Sequence, residues 1–110
     1  MKKVFLLNSD PLQISTWKSY LKDTQWSLYT LSSLSDFSFR FEDFQPDLVV
    51  YESEMGTEGD LEQIIKIVSQ IPVAVVGESF GKRCLGFSIP YNPENLVEIL
   101  NELLAKSKEL

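Results

Sequence analysis

At 110 residues, with 44% hydrophobic and 12% aromatic residues, the chain suits one domain with its own core and is neither disordered nor fibrous. Its 10 basic against 16 acidic residues, a net charge of −6 and a pI ≈ 4.5 leave no cationic surface to neutralise nucleic-acid phosphates, so direct nucleic-acid binding is not expected. The absence of histidine removes the commonest general base, metal ligand and phosphohistidine site, and no apolar run approaches the ~20 residues of a membrane span.

The chain opens on Met1-Lys2-Lys3 and an apolar run, Val4 to Leu7, too short for a secretion signal. With Cys84 as the one cysteine, no internal disulfide can form, and a cytoplasmic protein or domain is expected. Val4 to Leu7 reads as a buried first strand. Asn8-Ser9-Asp10-Pro11 ends it, with Asp10 suited to cap a helix and Pro11 to its first position. Ile14, Trp17 and Leu21 recur at helical spacing, while Ser15, Lys18, Lys22 and Asp23 fall off that face. Trp26 to Leu31 is rich in strand formers and predicts the second strand.

Leu34 to Phe44 fits two periods. Phe37, Phe39 and Phe41 alternate as in a strand, yet Leu34, Phe37, Phe41 and Phe44 share a helical face, with Asp36 as a cap. The helix is preferred, because a strand here would leave little linker on either side; Phe39 then points away from the core. Gln45-Pro46-Asp47 turns the chain into Leu48 to Tyr51, a third strand that stops at Glu52. After a loop from Glu54 to Gly59, Asp60 is expected to cap a helix with Leu61, Ile64, Ile65 and Val68 on its apolar face. Val73 to Val76, apolar throughout, predicts a central fourth strand. Gly77 to Leu85 reads as a loop and Phe87 to Ile89 as a fifth strand. Asn92-Pro93-Glu94 then starts a last helix, Leu96 to Ala105. Strands alternating with helices predict one α/β domain, a parallel sheet covered on both faces.

In order and spacing these signals resemble the receiver domain of bacterial response regulators, across nearly the whole chain. The matching landmarks are Asn8-Ser9-Asp10-Pro11 after the first strand and Pro46-Asp47-Leu48-Val49-Val50-Tyr51-Glu52, with Met55 three positions further on and Gly56 where the family has proline. Pro72 before the fourth strand, and Ile89-Pro90-Tyr91 followed by Asn92-Pro93, complete the set. The resemblance implies a CheY-like, doubly wound, five-stranded parallel sheet of order 2-1-3-4-5. It also implies a cis bond at Ile89-Pro90.

The family's phosphotransfer residues are mostly replaced. The two principal metal-binding positions hold Asn8 and Ser9, and Asp10 flanks them. Without their charge a divalent cation, which takes hard oxygen ligands, loses its hold. The phosphoacceptor position holds Glu52, one methylene longer than aspartate. Gly77 stands for the Ser/Thr that contacts the phosphoryl group, Ile89 for the lysine that pairs with it, and Gly86 for the switching aromatic. Nothing then stabilises charge on a transferring phosphoryl group. These replacements predict a pseudo-receiver: no enzyme, no cofactor, and signalling by protein–protein contact. Three other readings of this edge are a built-in phospho-mimic at Glu52, a residual metal-dependent phosphoacceptor there, and an acidic metal site from Asp10, Glu52, Glu54 and Glu78.

Only 12 positions separate Gly77 from Ile89, too few for a strand end, the next strand and an ordinary helix of ~11–12 residues. The family's fourth helix is therefore expected to be absent or very short. Phe80, Lys82, Arg83 and Leu85, with Phe87 and Tyr91, are the expected partner surface, since apolar residues beside arginine are enriched at interfaces. The space left by the helix could instead accept a small ligand of quinone type. The last helix is apolar at Leu96, Val97, Ile99, Leu100, Leu103 and Leu104, wider than one stripe needs. A homodimer or a fused output domain against it is expected, and no membrane contact.

Overall fold

The computed structural model describes residues 2–52, 57–76 and 95–107. Strand and helix alternate: β1 (Lys2–Leu7), α1 (Pro11–Leu21), β2 (Trp26–Leu31), α2 (Phe37–Phe44), β3 (Leu48–Glu52), α3 (Glu58–Val68), β4 (Val73–Val76) and α4 (Leu96–Ser107). The described strands form one parallel sheet in the order β2-β1-β3-β4. This is the expected order without its fifth member; Phe87 to Ile89, the Ile89-Pro90 bond, the Asn92-Pro93 helix start and the segment in which the family's fourth helix would lie are all outside the described residues.

Alternation along each strand sends side chains to two separate cores. Val4, Leu6, Leu48, Val50, Ala74 and Val76 pack with Trp17 and Leu21 of α1 and Leu96, Leu100 and Leu103 of α4. Phe5, Leu7, Val49, Tyr51, Val73 and Val75 pack with Phe37 of α2 and Leu61, Ile64 and Val68 of α3. The inner strands, β1 and β3, are buried on both faces, which is why they read as continuous apolar runs.

Several boundaries differ from the sequence reading, each for a local reason. β1 begins at Lys2, two residues before the apolar run, because both lysines keep their stems on the sheet and satisfy their ammonium groups. Lys2 Nζ donates to Asn101 Oδ1 at 2.8 Å, and Lys3 Nζ donates to the Phe44 carbonyl at 3.2 Å. β3 runs on to Glu52, which pairs in register with Val76. α3 begins at Glu58 and its cap is Thr57: Thr57 Oγ1 accepts from Asp60 N–H at 3.2 Å while Asp60 Oδ2 accepts from Thr57 N–H at 2.8 Å. Asp60 is thus the third helical residue of a capping box and not the cap itself. Asp36 stands at the start of α2, but its side chain makes no capping bond; its ψ of 14° departs from the extended backbone that turns a side chain onto the first turn.

The breadth of α4 is absorbed within the chain. Leu96, Leu100 and Leu103 are buried, and Val97, Ile99 and Leu104 pack against the same core. Among the described residues the large hydrophobic side chains left exposed are Leu12, Tyr20, Phe39 and Ile67, none of them on α4. Leu96, Leu100 and Leu103 thus serve the core of this chain, while Val97, Ile99 and Leu104 are half-buried along the helix.

Candidate functional site

The chain leaves β1 toward β2 on one side and returns to β3 on the other, so the crevice between the carboxyl ends of β1 and β3 is the topological switch point of the sheet. Open α/β sheets bind ligands there. The register Leu7↔Tyr51 brings the next residues, Asn8 and Glu52, side by side at this edge. They are the two buried polar residues among those described, 0% and 3% exposed.

Asn8 is held by a directional network. Its Oδ1 accepts the Asp10 N–H at 2.8 Å, and its Nδ2 donates to Gln13 Oε1 at 2.8 Å. Gln13 Nε2 then donates to Asp10 Oδ2 at 3.2 Å, while Asp10 Oδ1 accepts the Leu12 N–H at 3.0 Å. Asp10 caps α1 in extended backbone, as expected, with Pro11 at the first helical position. Its carboxylate is occupied by the helix it starts. Ser9 is exposed. Gln13 was not singled out from the sequence, although Asp10-x-x-Gln13 is a variant of the capping-box pattern and could have pointed to it.

Glu52 is engaged within the folded chain. Its neighbour Tyr51 is fully buried on the opposite face of β3, and its phenol oxygen has no hydrogen-bond partner among the described residues. Burial first, and then the negative charges of Asp60 and Glu52, push the Tyr51 phenol up to about 12. Nothing in the sequence marked this residue, because a tyrosine in an apolar strand reads as core.

The structure thus brings together Asn8, Asp10 and Glu52, with Ser9 at the rim. Gly77, Ile89 and Gly86 lie outside the described residues, as do Glu54 and Glu78 of the acidic metal set. So does the expected partner surface of Phe80, Lys82, Arg83, Leu85, Phe87 and Tyr91. Among the described residues no three acidic or cysteine side chains gather as a metal-ligating group, and no helix is long and apolar enough to cross a membrane.

No protein-family model matches the sequence, and neither does any curated protein. Solved structures do match in fold. A fusion chain carrying a trimeric coiled coil from yeast superposes with a TM-score of 0.78 at 15% identity, over 98% of this chain and 78% of that one. The N-terminal domain of a response regulator/sensory box/GGDEF three-domain protein from Carboxydothermus hydrogenoformans gives 0.71 at 14% identity, over 98% of each chain. The receiver domain of NtrC4 from Aquifex aeolicus gives 0.70 at 13% identity, over 96% of this chain and 98% of that one. With helices on both faces of a parallel β2-β1-β3-β4 sheet and near-complete superposition on such domains, the chain has the CheY-like fold of the response-regulator receiver domain.

Proposed function

We propose that this domain is a receiver-like signalling module that acts by protein–protein contact and does not accept a phosphoryl group. The observation that carries the reading is the commitment of Asn8 and Asp10. At the place where a receiver needs free carboxylates for a divalent cation, a neutral amide is buried and bonded on both of its polar atoms, and the adjacent carboxylate caps α1. A hard cation would have to break these bonds and would gain little charge in return. Glu52 alone supplies neither the metal nor the cationic partner that phosphoryl transfer requires.

The test is a titration of the domain with Mg²⁺ and beryllofluoride, followed by amide NMR. No saturable shift is expected at Asn8 or Glu52. Saturable shifts at both would establish a residual phosphoacceptor at Glu52 and reject this reading. Partner contact through the Phe80–Arg83 region is tested separately, by comparing proteins retained on the wild-type domain with those retained on Phe80→Ala and Arg83→Ala. Loss of the same band from both variants is the expected result.

A further inference from the structure

Beside β2, at one edge of the described sheet, lies an open groove of about 520 Å³. One wall is a single face of α1, made by Pro11, Ile14, Ser15 and Lys18 at helical spacing; the other is the carboxyl end of β2, Thr30 and Leu31, continuing into Ser32. Ser9 closes the end nearest the switch point. The volume falls within the range of small-molecule sites. The chemistry of the lining is unusual for this molecule. The whole chain carries 16 acidic and 10 basic residues, yet among the described residues the groove is lined by no carboxylate and by one ammonium group, Lys18, among four hydroxyls. Ile14 and Leu31 add apolar surface; Ile14 packs against one core and Leu31 against the other, so the walls are fixed by packing. The carboxylate of Asp10, next in sequence to the lining residues Ser9 and Pro11, is turned to the Leu12 N–H and the Gln13 amide.

We propose that this groove is a binding site for a small organic anion, a carboxylate or a phosphate monoester with a compact, partly apolar body. Lys18 takes the anionic head in a charge-assisted hydrogen bond. The hydroxyls of Ser15, Thr30 and Ser32 donate to the remaining oxygens, and Ile14 and Leu31 receive the apolar part. The site does not depend on whether the domain accepts phosphate, because none of its residues takes part in that chemistry.

The experiment is amide NMR of the whole domain at constant ionic strength with two probes, 4-hydroxybenzoate for the carboxylate class and glycerol 3-phosphate for the phosphate class. Uncharged 4-hydroxybenzamide and sodium chloride serve as controls. Saturable shifts centred on Ser15, Lys18, Thr30 and Ser32 are expected with at least one anion, and which one responds assigns the head group. Lys18→Gln, at an exposed position, should weaken that binding about tenfold or more, the size of a charge-assisted bond. Ser15→Phe, which fills the groove from another exposed position, should abolish it. Saturation by neither anion, equal shifts with benzamide or chloride, or unchanged affinity in Lys18→Gln would each overturn the proposal.

Discussion

Two buried side chains at the carboxyl edge make opposite predictions about substitution. Asn8 is satisfied through a chain of bonds with one direction: it donates to Gln13, which donates to Asp10. Asn8→Asp puts an oxygen where a donor is needed, and rotating the Gln13 amide to repair that contact would turn its oxygen on Asp10. A loss of about 2 kcal/mol is expected in urea unfolding, the cost of an unmet buried polar group. Tyr51 is the reverse case, since its hydroxyl is buried with no partner among the described residues. Tyr51→Phe should keep stability or raise it by up to about 1 kcal/mol. The same pair of proteins gives a pH dependence. The phenol ionises near 10.0 when unfolded and is pushed up to about 12 when folded. Its contribution is whole below pH 10 and is lost as pH rises through 12, because the unfolded chain releases the proton first. Wild type should therefore lose more stability between pH 10 and 12 than Tyr51→Phe, with both measured by denaturant midpoint. Neither network was legible in the sequence. Hydrogen-bond direction depends on which side chains the turn after β1 brings face to face, and composition does not encode that.

At the scale of single elements, α2 shows how far pattern reading reaches. In a segment of eight residues, periods of 2 and 3.6 coincide at Phe37 and Phe41, so periodicity alone does not separate strand from helix, and only the short linkers on either side favour the helix that forms. Tertiary packing resolves it. Phe37 meets Phe5 at a ring distance of 5.5 Å and Phe41 at 5.8 Å, while Phe44 lies 5.1 Å from Tyr29. Phe39 is left 70% exposed on the outer side, with the Arg40 guanidinium 5.9 Å from its ring. A helix this short persists through such contacts and not through propensity. Phe37→Ala should cost about 3–5 kcal/mol, whereas Phe39→Ser should stay within about 0.5 kcal/mol, both by chemical denaturation. In α3 the cap was misassigned by one turn because Thr57 and Asp60 are both good cap residues, and only the reciprocal pair of bonds identifies which one stands first. Thr57→Ala should remove about 1 kcal/mol.

For the whole molecule, the parallel sheet and the two-sided core were readable because Val4–Leu7, Leu48–Tyr51 and Val73–Val76 are continuous apolar runs and a helix separates each strand from the next, while the strand order came from the resemblance. The breadth of α4 is divided between buried Leu96, Leu100 and Leu103 and half-buried Val97, Ile99 and Leu104. Periodicity counts apolar residues but does not show how deeply a helix seats between its neighbours. Leu103 is only 1% exposed, so Leu103→Asp would bury a charge in the core and unfold a domain of ordinary stability. Circular dichroism of that variant should show loss of the folded state, not a dissociated but folded monomer. One further contact joins distant parts of this architecture. Asn101 Oδ1 accepts hydrogens from Lys2 Nζ and, at 3.1 Å, from Trp26 Nε1, tying the first residues of β1 and β2 to α4. A ribosome releases residue 2 long before residue 101. Until α4 emerges, that face of the sheet has only α1 to cover it, and a translation product halted before Leu96 would present the part that Leu96, Leu100 and Leu103 bury to chaperones and proteases. Maturation of this fold therefore waits on the synthesis of α4.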